Sequence, residues 1–259
     1  GETADSLAAL REAKKLGAPV IAITNVVGSS IAREADHVLY TWAGPEIAVA
    51  STKAYTAQLV ALYLLALHLA GLRGTVPAGE MEEIAGGLKK LPEKAQAVLD
   101  DSAEIKRLAE ECAKAKDAFF IGRGLDCAVA MEGSLKLKEI SYIHAEAYAA
   151  GELKHGTLAL IEEGVPVIAL ATQPHLLEKM VSNIKEVKAR GATVFALAME
   201  GAPEVAKVAD RTFFIPATHP VLAPVLAVIP LQLLAYHAAV ARGCDVDQPR
   251  NLAKSVTVE

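Results

Sequence analysis

Glu132, Lys136 and Glu139 stand at spacings of four and three in a run that reads as helix, so a lysine falls between two carboxylates on one helix face. A carboxylate buried beside a cation can be tuned to carry a proton between neighbouring atoms. Spacing alone does not demand this, and by itself it favours a solvated salt-bridge ladder. His155, between Lys154 and Gly156, sits where a turn presents an imidazole to solvent, and a loop histidine is ordinarily a surface residue. Lys254 lies in a short polar tail, where a lysine is ordinarily a solvated charge near a frayed end. To act as an imine-forming nucleophile it has to lose a proton, which requires burial or a cationic neighbour, so the tail must then fold over a site. Val256 and Val258, alternating with Thr257, give that tail an apolar edge for docking. Gly28-Ser29-Ser30 has the form of an anion-binding turn that opens a helix, but a plain N-cap by Ser29 or Ser30 is the expected role.

The elements that position these residues follow from the apolar spacing. Ala4 to Leu16 carries Leu7 and Leu10 on one face and is stopped by Gly17, the pattern of an amphipathic helix. Val20 to Thr24 is short, β-branched and almost wholly apolar, as expected of a parallel strand covered on both faces. A small helix ending near Ala35-Asp36, a strand His37 to Tyr40 and a long apolar helix from about Thr52 to Leu72 come next. The same order returns as helix Leu176 to Arg190, Gly191, strand Thr193 to Ala198, Ala209-Asp210, strand Thr212 to Ile215 and a helix beyond Pro220. Gly17 and Gly191, Asp36 and Asp210, and Gln58 and Gln232 are each 174 positions apart with no gap, which marks duplication of an α/β unit.

The second copy is preceded by strand Ala118 to Ile121, the turn Gly122-Arg123-Gly124, helix Asp126 to Ile140 and strand Val165 to Ala171, which the first lacks. If the copies are equivalent, about 56 residues of the first unit precede Gly1. The expected organisation is a first α/β unit at 1–76, truncated at its N-terminus, connecting helices at 77–117, a second unit at 118–243 and a tail at 244–259.

The bulk composition excludes several classes. With 259 residues and 53% hydrophobic content the chain can bury a large core. A net charge of -5 without basic clusters leaves no electrostatic footprint for nucleic acid. Cys112, Cys127 and Cys244 are odd in number and scattered, which fits neither a disulfide framework nor a metal site, and a reducing cytoplasm is the expected setting. The apolar stretch Pro220 to Ala241 is interrupted by Pro224, Pro230, Gln232 and His237 and reads as a buried, kinked core helix rather than a membrane span. The start at Gly1 carries no signal-peptide pattern and reads as mid-protein.

Two Rossmann-like units in tandem resemble the sugar isomerase (SIS) family, with parallel sheets in three αβα layers. Within it, several segments resemble the isomerase halves of glucosamine-6-phosphate synthases: Gly1-Glu2-Thr3-Ala4-Asp5, Val49 to Ala54, Glu132 to Ile140, His144 to Ala147, Gly151 to Gly156, and the tail Asp247 to Glu259. The resemblance implies conversion of fructose 6-phosphate and glutamine-derived ammonia to glucosamine 6-phosphate, with no cofactor and no metal. It implies that Lys254 forms a Schiff base with the open-chain sugar, that Glu139 moves a proton between C1 and C2 with Lys136 in support, and that His155 assists ring opening from the neighbouring subunit of a homodimer. Thr3, Val49, Ser51 and Ala253 are the implied sugar-phosphate contacts. The chain departs from the family in lacking the Ser-Gln-Ser run before Gly1 and the N-terminal glutaminase domain with its nucleophilic cysteine. A free-standing glucosamine-6-phosphate deaminase or ketose-aldose isomerase, and a non-catalytic sugar-phosphate sensor, are the alternatives.

Overall fold

The computed structural model describes residues 1–257. It divides into two compact units: one holds Gly1–Ala78 with the tail from Asp247, the other Gly79–Val246. The helices expected as connectors therefore belong to the second unit.

The first unit runs α1 (Ala4–Lys15), β1 (Ile21–Thr24), α2 (Ser30–Glu34), β2 (His37–Tyr40) and α3 (Lys53–Arg73). β1 and β2 are parallel, with Ile21 opposite His37 and Thr24 opposite Tyr40. The expectation that β1 is covered on both faces fails. Ala22 and Thr24 are buried but Ile21 is 47% exposed. No residue of α3 is fully buried.

The second unit runs α4 (Ala78–Asp100), α5 (Ala103–Cys112), β3 (Asp117–Gly122), α6 (Leu125–Ser141), β4 (His144–Ala149), β5 (Pro166–Ala171), α7 (Leu177–Lys188), β6 (Thr193–Met199), α8 (Pro203–Ala206), β7 (Arg211–Ile215) and α9 (Ala223–Ala241). Its five parallel strands lie in the order β4-β3-β5-β6-β7. Every residue of β5 is buried, as a continuous apolar run between two helical layers requires. Phe119, Ile121, Val167 and Val194 face Met180, Ile184 and Val187 of α7 on one side. Ile168, Phe195 and Leu197 meet Ile105, Leu108, Leu231 and Leu234 of α5 and α9 on the other. The α6–α9 packing is close at Gly133, where a Cβ would lie 2.6 Å from Leu231 Cδ1. β4 is an element the sequence reading did not contain; His144 to Ala147 figured there only as a motif.

Among the described residues two helices, α3 and the Pro220–Ala241 segment, are long and apolar enough to cross a membrane by length and composition, and 67% of the latter's apolar window is buried. That matches the expected core helix.

The duplication extends to side-chain bonds. In the first unit Asp36 accepts from Lys14 Nζ at 2.9 Å and from Val20 N at 2.9 Å. In the second, Asp210 accepts from Lys188 Nζ at 2.8 Å and from Val194 N at 2.8 Å. All three positions keep the 174-residue offset, and Gly17 and Gly191 end the preceding helix at φ 77 and φ 92, a left-handed conformation glycine adopts without strain. Both aspartates are held below the usual carboxylate range: at Asp36 the Lys14 bond leads, while at Asp210 burial pushes upward but is outweighed by Lys188 and the Val194 amide.

Candidate functional site

Helix α6 carries the first group. It starts from Gly124 at φ 57 and ends at Tyr142 in the left-handed conformation, and it is buried along most of its length. Lys136 Nζ lies 2.5 Å from Glu139 Oε2 and 3.5 Å from Glu132 Oε1, with side-chain exposures of 5%, 22% and 13% for Lys136, Glu139 and Glu132. The solvated ladder that spacing alone favours is thus overturned, since packing of α6 into the core takes this face out of water. Burial raises the Glu132 carboxyl above its usual value, with Lys136 opposing. Glu139 is the more open of the two carboxylates, and a carboxylate held by a buried ammonium at the edge of solvent is suited to receive and return a proton.

His155 is exposed at the end of a 3-10 turn, Ala150–His155, which is anchored by buried Ala150 and Leu153. Lys154 Nζ pairs with Glu186 Oε1 of α7 at 2.9 Å. The structure brings Lys136 and Glu139 together and places His155 on a separate element.

The second group lies in the first unit. Thr3 is the N-cap residue of α1 without a side-chain capping bond, and Ala4 N donates to Val256 O at 2.9 Å. Val49 N donates to Asp247 O at 2.9 Å. Lys254 Nζ reaches Ala48 O at 2.5 Å and Glu46 Oε2 at 3.1 Å, and Ser51 Oγ donates to Glu46 Oε2 at 3.3 Å. The tail is therefore docked on Glu46, Ala48 and Val49. Among the described residues it docks through its backbone and Lys254, and Val256, one of the two residues of the expected apolar edge, is 54% exposed. Val258 lies outside the described residues, and Ala253 is exposed.

The expected cap on α2 is also corrected. Ser29 is the N-cap residue but makes no capping bond, and its buried hydroxyl has no hydrogen-bond partner. Glu2 supplies the cap instead, accepting from Ser30 N at 2.8 Å and Ser30 Oγ at 2.6 Å, a carboxylate at the positive end of the helix.

Two residues were missed. Glu46 is 9% exposed and accepts from Thr52 N at 2.8 Å and Ala54 N at 3.2 Å as well as from Lys254. Burial pushes its carboxyl upward, but the two amides and the ammonium outweigh that and hold it below the usual range. Asp126 is 1% exposed and receives Thr172 N at 2.7 Å and Thr172 Oγ1 at 2.5 Å. The available signals were an acidic residue shortly ahead of the Thr52 helix start and one in the first turn after Gly122-Arg123-Gly124.

Parallel α/β units with a buried lysine–carboxylate pair define a class, and comparison with known proteins gives the family. The SIS domain model matches residues 1–68 and 111–242, and this chain belongs to the SIS domain family. It is 67% identical over its whole length to the glutamine–fructose-6-phosphate aminotransferase (isomerizing) of Caldanaerobacter subterraneus subsp. tengcongensis, spanning 43% of that relative's length. To the same-named protein of Symbiobacterium thermophilum it is 65% identical, again over its whole length, spanning 42% of that relative. Among solved structures, the C-terminal domain of glucosamine-fructose-6-phosphate aminotransferase from Francisella tularensis matches with TM-score 0.91 and 43% identity, over 96% of this chain and 71% of that one. A glucosamine-6-phosphate deaminase from Thermotoga maritima matches with TM-score 0.73 and 25% identity, over 99% and 72%.

Proposed function

We propose that this chain is the isomerase part of a glutamine–fructose-6-phosphate aminotransferase, which takes fructose 6-phosphate and ammonia released from glutamine to glucosamine 6-phosphate. The observation that carries the reading is Lys254 held by the tail on Ala48 O and Glu46, next to Val49 in sequence, in a chain that also buries Lys136 against Glu139. Lys254 forms an imine with C2 of the open-chain sugar. Glu139, supported by Lys136, moves the proton between C1 and C2, and His155 assists ring opening. Thr3, Val49, Ser51 and Ala253 contact the sugar phosphate. The 67% identity to an aminotransferase against 25% to the deaminase supports the transferase over the free-standing alternative.

A glutaminase domain elsewhere in the full protein, a cytoplasmic setting, a homodimer in which His155 serves the partner's site, and the absence of nucleic-acid and membrane partners belong to the same proposal. Fructose 6-phosphate followed by borohydride tests it. Reduction should fix the sugar on Lys254, located by peptide mapping, and an adduct on Lys136 or Lys53 instead would overturn the assignment.

A further inference from the structure

The two copies of the repeat differ at the start of their long helix. α9 begins at Ala223, whose counterpart 174 positions earlier is Val49. α3 begins only at Lys53, so Val49–Thr52 is a loop where the other copy has a helical turn. Glu46 stands where the second copy has Pro220. There Pro220 opens a short 3-10 turn and His219 Nδ1 accepts from Val221 N, with no carboxylate involved. The fold can thus begin this helix without an acid.

In the first unit the Glu46 carboxylate collects Thr52 N, Ala54 N and Thr52 Oγ1 on Oε1, and Ser51 Oγ and the Lys254 ammonium on Oε2. Sinking a carboxylate to 9% exposure costs solvation, which these donors offset. The same side chain therefore holds the unwound loop and the tail lysine.

We propose that Glu46 is the positioning residue of the sugar site: it keeps Val49 and Ser51 in the loop conformation and presents Lys254 to that loop. The proposal rests on the reading of Lys254 as the imine-forming residue. In that step the ammonium first loses one proton to solvent. The free amine then forms a C–N bond at C2, and the carbonyl oxygen leaves as water with the amine's two protons. Glu46 touches none of the reacting atoms; it fixes where the nitrogen starts.

The experiment compares wild type, Glu46→Gln and Glu46→Asp in the full-length protein. The Gln oxygen still accepts from the Thr52 and Ala54 amides, but its NH₂ offers Lys254 no acceptor. We expect kcat and the rate of borohydride trapping on Lys254 to fall about 10²-fold in the Gln chain, as for a misplaced reacting group. KM should stay within about threefold, and Glu46→Asp, which keeps the charge one methylene short, should recover part of the loss. Trapping of the Gln chain at the wild-type rate overturns the proposal, as does a rise in KM with kcat intact, which would mark a plain binding contact. If the Gln chain fails a thermal-melt check, the Asp chain decides: slowed trapping supports positioning and wild-type trapping overturns it. Absence of any adduct on wild-type Lys254 overturns the imine reading itself, and with it this proposal.

Discussion

Lys136 extends its ammonium to within 2.5 Å of the Glu139 carboxylate, one turn further along α6, with only 5% of its side chain exposed. A second carboxylate, Glu132, stands 3.5 Å from the same nitrogen, so one cation serves two acids. Removing it leaves two poorly solvated carboxylates facing each other. Lys136→Met should therefore destabilise the fold by about 3–5 kcal/mol, the range for breaking a buried pair from one side. Urea denaturation checks this through a lowered midpoint at unchanged slope. A change below about 0.5 kcal/mol, the scale of ordinary surface substitutions, would show that the pair is solvated.

Glu139→Gln keeps the shape of the side chain and removes its ability to carry a proton. If Glu139 shuttles the proton between C1 and C2, turnover should fall by about 10²–10⁴-fold while glucosamine 6-phosphate still binds with near wild-type affinity. Calorimetric titration and a turnover assay separate the two. Wild-type turnover in the variant would remove Glu139 from the mechanism.

The residues whose surroundings are set by local periodicity were legible in the sequence. The repeat predicted helix, strand and glycine stop around Asp36 and Asp210, and the structure matches these down to paired side-chain bonds. The Glu132–Lys136–Glu139 face was legible as a face, but not its burial. Spacing fixes which side chains are neighbours on a helix, whereas burial depends on what α6 packs against. β4 escaped because His144-Ala145-Glu146-Ala147 alternates polar with small residues, as an edge strand does, and lacks the β-branched run that marks β5. Glu46 and Asp126 escaped because their partners lie up to 208 and 46 positions away, beyond any local pattern.

Asp126 gives a pH dependence whose sign can be worked out. Burial raises its carboxyl in the folded chain, while the Thr172 hydroxyl and amide pull the other way. The folded state therefore binds the proton more tightly than the unfolded chain. The stability this contributes is full below the unfolded value near 3.8 and is lost as pH rises through the higher folded value. Asp126→Asn removes that titration and keeps one acceptor for Thr172. Its unfolding free energy should fall less steeply than that of wild type as pH rises from 4 toward neutrality, measured by denaturation at a series of pH values. Parallel stability curves would assign the dependence to other groups.

His155 and Lys254 provide the sharpest test of the proposal that two subunits share a site. His155 is exposed on the Ala150–His155 turn, and Lys254 is held by Glu46 and Ala48 in the other unit of the chain. His155→Ala and Lys254→Ala homodimers should each be nearly inactive if both residues act in every site. In a mixed dimer the outcome depends on whose histidine serves which site. If His155 reaches the partner, the site built on the intact Lys254 receives an intact His155, and the other site lacks both. One site in two then works. Random exchange of equal amounts makes about half the dimers mixed, so the mixture should recover about a quarter of wild-type activity. If His155 serves its own chain, every mixed site lacks one residue and nothing is recovered. Subunit exchange followed by an assay, with mixed dimers verified by differently tagged chains, decides between the two, and no recovery despite verified mixed dimers would confine His155 to its own subunit.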